Sequence, residues 1–259
     1  MVYVNDPALF VAAAAAPGWR PVFSRRSRKE LERFVDESIG ADRRPICHVV
    51  EGNPPAEILK AARRLGSDLI VMGTHGLTGF DRLFFGSTTD RVLRGVSVPL
   101  MVVPPSDGAA KQQRPRGLPA VARVLVPVDL DGEWQQELDG ATAVARLFDA
   151  RLVLMYVVPR TQAPPWLREN VAAFDRTRLS RARLALERIR ASVPPDIRTA
   201  CRVVIGRPAD EIAAMASANP GNSPGLVVMA LRGGRRARHG STTHDVLTHA
   251  VAPVMVLPR

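Results

Sequence analysis

Short, almost wholly apolar runs alternate along this chain with longer stretches whose apolar residues recur every three or four positions. The alternation is clearest in the second half. Val124-Leu125-Val126-Pro127-Val128 predicts a short buried strand that ends at Asp129. Residues 133–149 place Leu138, Ala141, Val144, Ala145 and Phe148 near helical spacing, and 151–158 are apolar and β-branched, a second strand. A long arginine-bearing helix is predicted over 171–191 and is stopped by Pro194-Pro195. Residues 198–205 form strand three, and Gly206-Arg207-Pro208 turns into a helix opening near Ala209. Residues 226–230 are strand four; a loop and a helix then lead to strand five, 253–257. Buried strands alternating with helices imply an α/β fold with a parallel, doubly wound sheet, whose ligands lie beyond the carboxyl ends of the strands.

The same pattern occurs twice. CHVVEGNPPAEIL around Cys47 answers CRVVIGRPADEIA around Cys201, an offset of 154 residues that also relates Gly52 to Gly206 and Glu57 to Glu211. LIVMG (69–73) answers LVVMA (226–230) at an offset of 157, and GSTTDRVL from Gly86 answers GSTTHDVL from Gly240, back at 154. VPLMVVP and APVMVLP close the two copies. A repeat with its gaps confined to loops is one supersecondary arrangement written twice. The segment between the copies is rich in Pro, Gly and Gln and has no apolar period, so it reads as a linker. The organisation is a first domain over 1–105, a linker over 106–119 and a second domain over 120–259. Met1-Val2-Tyr3-Val4 matches the end of strand two, so copy one has no counterpart of residues 121–154, the first strand and helix. In the usual order of such a sheet the first strand is central, and without it strands two and three are cut off from strands four and five. Either the true start codon lies upstream, which is the preferred reading, or the domain is compromised or completed by a partner.

Composition narrows the class. Hydrophobic content of 46% and charged content of 24% are those of a globular protein. No stretch approaches the roughly 20 apolar residues of a membrane span. The apolar run 8–16 has no basic segment before it, so a secretory signal is not expected and the expected location is the cytoplasm. Cys47 and Cys201 are one repeat position seen twice. They read as small residues buried in a strand, not as a disulfide framework or a metal cluster. The net charge of +11 comes from scattered arginines, with lysine only at 29, 60 and 111. It favours polyanions in general, nucleotides included, over sequence-specific nucleic-acid binding.

Candidate chemistry follows strand four of copy one. Met72 leads into Gly73-Thr74-His75-Gly76, and nine residues later come Gly86-Ser87-Thr88-Thr89. Glycines let the backbone take φ > 0 and approach a ligand closely. A helix opening at Gly86-Ser87 points unpaired N–H groups at an anion, and the hydroxyls of Ser87, Thr88 and Thr89 add donors. The bland alternative is tight turns with Ser87 as a helix cap. His75 either donates to phosphate or fills the turn.

Here the chain resembles the universal stress protein family, whose ATP-binding members carry G-x2-G-x9-G-[S/T]. Gly73, Gly76, Gly86 and Ser87 match fully, and the resemblance covers both copies. It implies two Rossmann-like domains of the adenine nucleotide alpha hydrolase type with five-stranded, mostly parallel sheets, the first lacking its opening strand and helix. It also implies ATP, with or without Mg2+, as ligand, a stress-response regulatory role without dedicated catalysis, and a homodimer or pseudo-dimer through the last strands. In the family the aspartate after strand one lies beside the nucleotide, and Asp129 holds that place in copy two. There Ala230 replaces the first glycine and six residues separate Gly233 from Gly240-Ser241, in a loop crowded with Arg232, Arg235, Arg236 and Arg238. That run reads as a solvated loop or as a site for a different anion. Copy one thus holds the phosphate half of a site and copy two the base half. Because such a site is built within one fold unit, the halves are not expected to combine. The rivals are a degenerate scaffold acting through protein contacts, a weak ATPase or autokinase, and a polyanion binder. The enzyme reading lacks any base or water-orienting residue that the sequence can place.

Overall fold

The computed structural model describes residues 1–7, 19–39, 44–74, 86–105, 121–161, 164, 168–217, 225–231, 242–250 and 252–258. The linker 106–119 lies outside them. Two compact units are present: Met1–Asp68 with Ser87–Val96, and Leu69–Gly86 with Ser97–Arg259.

The first unit holds strands β1 (Val2–Asn5) and β2 (His48–Glu51) and helices α1 (Trp19–Ile39), α2 (Pro54–Arg64) and α3 (Ser87–Gly95). β1 and β2 pair in parallel, from Val2 opposite His48 to Asn5 opposite Glu51, as a two-stranded sheet of their own. α1 packs on both strands, and α2 packs on β1 and α3. The buried residues of this unit include Val35, Ala61, Val92 and Leu93. α2 starts where the sequence places its turn. Gly52 has φ of 147°, with the Glu57 side chain 2.8 Å from where a Cβ would stand. Asn53 caps the helix through the Ala56 amide, and Pro54 and Pro55 open it without needing N–H partners.

The second unit contains β3 (Ile70–Gly73), β4 (Leu100–Val103), β5 (Arg123–Pro127), α4 (Gln135–Phe148), β6 (Arg151–Pro159), α5 (Arg168–Arg190), β7 (Thr199–Gly206), α6 (Pro208–Ser217), β8 (Gly225–Ala230), α7 (Thr242–Thr248) and β9 (Val254–Leu257). Its seven-stranded sheet runs β3-β4-β9-β8-β5-β6-β7. All neighbours are parallel except β4 and β9, the last strands of the two copies. These run antiparallel, with Leu100 opposite Val256 and Val102 opposite Val254. β5 is the central strand of copy two, bonded to β6 on one side and β8 on the other.

Side chains alternate across these strands, and each face of the copy-two sheet has its own cover. Val124, Val126, Leu152, Leu154, Leu226, Val228 and Leu257 join Leu138, Ala141, Val144 and Ala145 of α4 and Leu186 and Ile189 of α5 in one core. α6 packs on β6, β7 and β8 and on α7. α4 ends at Asp149, whose φ of 48° closes the helix in the left-handed region. The predicted elements of copy two are all present, with ends shifted by at most three residues.

β1 and β2 form a sheet of their own, and β3 and β4 belong to the seven-stranded sheet. In copy two the equivalent strands are held together through β5, and among the described residues of copy one no strand holds that position. Cys47 does not lie inside a strand as expected: it immediately precedes β2 and is half-buried. Cys201 is in β7 and half-buried.

The same repeat position is buried in one copy and open in the other. Leu226 is 2% exposed and Leu69 is 38% exposed. Replacing Leu226 with alanine should therefore cost about 2–5 kcal/mol in denaturant unfolding, and the same change at Leu69 less than about 1 kcal/mol. Equal losses at the two positions would contradict the packing described.

Candidate nucleotide-binding site

β3 ends at Gly73, and the next residue anchors the loop. The Thr74 amide donates to the Val103 carbonyl at 3.1 Å, and its own carbonyl accepts the Gly86 amide at 2.9 Å. The two ends of the segment 75–85 are thereby tied together at the carboxyl end of β3, the end where doubly wound sheets hold ligands. Thr74 is 3% exposed. Sequence reading passed over it, since a threonine between two motif glycines carries no periodic signal. Gly73 is in strand β3, and the glycines with positive φ among the described residues are Gly52 and Gly66. The turning freedom expected of Gly73 is not used, because strand pairing to Val103 holds it extended. Met72 is half-buried in the same strand. His75 and Gly76 lie outside the described residues.

α3 opens at Ser87, immediately after Gly86, and the division between the two units falls between these residues. Ser87 is exposed, Thr88 is half-buried and Thr89 is 4% exposed. A carboxylate in the first turn, Asp90, would oppose an anion there. It is instead paired with Arg94 one turn along, through two hydrogen bonds of 3.1 and 3.2 Å. The i, i+4 spacing of Asp90 and Arg94 was a readable signal for that pair. The first-turn amides of a helix have no i−4 carbonyl to bond, so α3 presents donors and the positive end of its dipole beside the Ser87 hydroxyl.

In copy two, Asp129 follows β5 and its carboxylate accepts the Asp131 amide at 3.1 Å, while its carbonyl accepts the Gly132 amide at 3.2 Å. The strand-one aspartate is thus already part of its own turn. At the end of β8, Ala230 is buried and its carbonyl accepts the Thr243 hydroxyl at 3.3 Å, a bond that fixes the start of α7. Thr243 is the repeat counterpart of Thr89. Gly233, Gly240 and Ser241, with the four loop arginines, lie outside the described residues.

The universal stress protein family model matches residues 1–104 and 121–258. The chain belongs to the universal stress protein family. A universal stress protein of Methanocaldococcus jannaschii is 31% identical over 105 residues, which make up 39% of this chain and 62% of that protein. Another, from Thermus aquaticus, is 33% identical over 90 residues, 32% of this chain and 64% of its own length. The chain thus spans less than two thirds of each of these curated relatives. Among solved structures, a universal stress protein from Archaeoglobus fulgidus superposes with a TM-score of 0.60 at 22% identity, covering 95% of this chain and 81% of that one. At that identity the likeness is one of fold. Among the described residues no group of three or more His, Cys, Asp or Glu is arranged to hold a metal, and no helix is long and apolar enough to cross a membrane.

The cysteine of copy two plays no part in this site. Burial, then the nearby Glu187 carboxylate, pushes the Cys201 thiol up to about 11, and its Sγ is 3.8 Å from the Leu186 carbonyl. The thiolate is the nucleophile, so at pH 8 Cys201 should react with iodoacetamide about a hundredfold more slowly than an ordinary thiol of pKa about 8.5. Its rate should climb as the pH approaches 11. Mass-spectrometric labelling across that range tests this, and rapid labelling at pH 8 in the folded protein would contradict it.

Proposed function

We propose that this universal stress protein binds ATP, with or without Mg2+, through copy one, in a regulatory role in the cytoplasm and without catalysis of its own. The observation that carries the reading is the closure of the G-x2-G-x9-G-S loop. The Gly86 amide on the Thr74 carbonyl brings the loop back to the carboxyl end of β3, and the next residue, Ser87, opens α3 with an exposed hydroxyl. The triphosphate would be held by that hydroxyl and the first-turn amides of α3, with Thr88 at the margin. Thr89, buried like its counterpart Thr243, is assigned to the fold instead. His75 and Gly76 complete the loop in this reading.

The residues present fit the phosphate end of ATP. They do not supply the strand-one carboxylate, since among the described residues of copy one none holds the place of Asp129. A second reading has its own support in that gap, in the engagement of the Asp129 carboxylate with its own turn, and in Ala230 at the first glycine position of copy two. It is a scaffold that acts through protein contacts and binds no nucleotide.

Calorimetric titration of ATP, in Mg2+ and in EDTA, separates the two. Saturable binding is expected in the wild type. Ser87→Ala should weaken it about tenfold, the worth of a hydrogen bond to a charged oxygen. Asp129→Ala should leave it unchanged. A wild type that takes up no heat from ATP, or binding abolished by Asp129→Ala and untouched by Ser87→Ala, would overturn the assignment to copy one.

A further inference from the structure

We infer that the outward face of α5 binds duplex DNA through its phosphates, without regard to base sequence. One side of the helix is in the core, with Ala182, Leu186 and Ile189 at 5%, 0% and 5% exposed. The other side carries Arg176, Arg181, Arg183 and Arg188, all exposed and none in an ion pair among the described residues. At about 100° per residue, Phe174, Arg181 and Arg188 fall in one row along the helix, and Arg176, Arg183 and Arg190 in a second row about 160° away. Within a row the side chains are spaced ~10.5 Å along the axis. The crest between the rows holds the uncharged Thr177, Ser180 and Leu184. Both carboxylates among the described side chains of α5 are engaged, Asp175 by Arg178 at 3.1 Å and Glu187 by Arg190 at 2.6 Å.

The first copy shows that these arginines are more than a helix pairing its own charges. RSRKELER from Arg26 answers RARLALER from Arg181, an offset of 155 residues. In each, a small buried residue, Ser27 or Ala182, stands between two exposed arginines, and Leu31 or Leu186 anchors the next turn. In α1 the last arginine of the motif, Arg33, is held by Glu30 at 3.0 Å and by Glu37 at 3.6 Å. The counterparts of those two carboxylates are Ala185 and Ser192. Arg188 therefore keeps the position of Arg33 without its partners, and α5 directs its positive charge outward.

The arrangement selects the occupant. Guanidinium groups suit phosphate oxygens through their planar set of donors. Two rows of cations flanking an uncharged crest match a groove bounded by two phosphate backbones, and the major groove of B-DNA, about 12 Å wide, admits an α-helix. Phosphate contacts set position and carry no sequence information, and Leu184 on the crest, 64% exposed, offers base edges no hydrogen bond. A membrane surface fits less well. Helices that lie on membranes turn a broad apolar side outward, whereas the apolar side of α5 is in the core and Phe174 and Leu184 are the large apolar side chains exposed on it. None of these residues belongs to the proposed ATP site.

Fluorescence anisotropy of a labelled duplex of about 24 base pairs, titrated with the full chain in two unrelated sequences, tests the inference. The two sequences should bind within about twofold of each other. Affinity should fall about a hundredfold between about 50 and about 200 mM salt, as counterion release by four arginines requires. Arg181→Gln with Arg183→Gln should keep the circular dichroism of the wild type. The pair should weaken binding at least about tenfold at the lower salt and reduce the salt slope by about two. Arg63→Gln with Arg64→Gln, which removes the same charge from exposed positions of α2, should leave binding within about twofold. An equal loss from that control would show that net charge alone attracts DNA and would overturn the inference. So would equally tight binding of a single strand of the same length, tighter binding to vesicles of anionic lipid, or no binding at the lower salt.

Discussion

The fold depends on β5. A parallel sheet is stable only when its internal strands have partners on both sides and helices on both faces, and β5 supplies the link between β6 and β8 in copy two. Its alternate residues Val124 and Val126 meet α4, so one segment provides both the internal ladder and the main cover of one face. Where that segment exists, five strands and their helices close into one core. In copy one no described strand takes its place, and β1 and β2 pair only with each other while β3 and β4 continue the other sheet. The same residue types then have opposite fates: Val228 is fully buried and Val71 is mostly exposed.

β3 and β4 are retained in an extended sheet through the antiparallel pairing of β4 with β9. Both are closing strands of the repeat, each with a run of Val, Leu and Met, and an antiparallel pair can form between identical elements without any connecting crossover. That pairing holds the carboxyl end of β3 in place, and the loop closure between Thr74 and Gly86 is built on it.

The two candidate half-sites differ in a way that their glycines alone do not explain. Copy one keeps the loop spacing and an exposed Ser87 but has no strand-one aspartate among its described residues. Copy two keeps the aspartate yet spends it on the turn to Asp131, and its Ala230 is buried. The hydroxyl of Thr243 is bonded to the end of β8. Thr89, the counterpart of Thr243, is likewise buried at the start of its helix.

The sequence by itself determined the family, the element order and the repeat, because these rest on local signals: apolar runs, helical spacing, Gly-x-Pro turns and a glycine motif of fixed length. It also led to the expectation that strands two and three of copy one would pair apart from strands four and five, and β1 and β2 do form a sheet of their own. Only the tertiary structure decided which backbone groups pair. It showed β4 against β9, the Gly86 amide on Thr74, and Gly73 held extended in a strand and not turned. It also decided burial, since Leu69 and Leu226, or Val71 and Val228, are near-identical letters in near-identical contexts. What separates them is a strand and a helix packed against one and not the other, and side-chain burial is a property of neighbours distant in the chain.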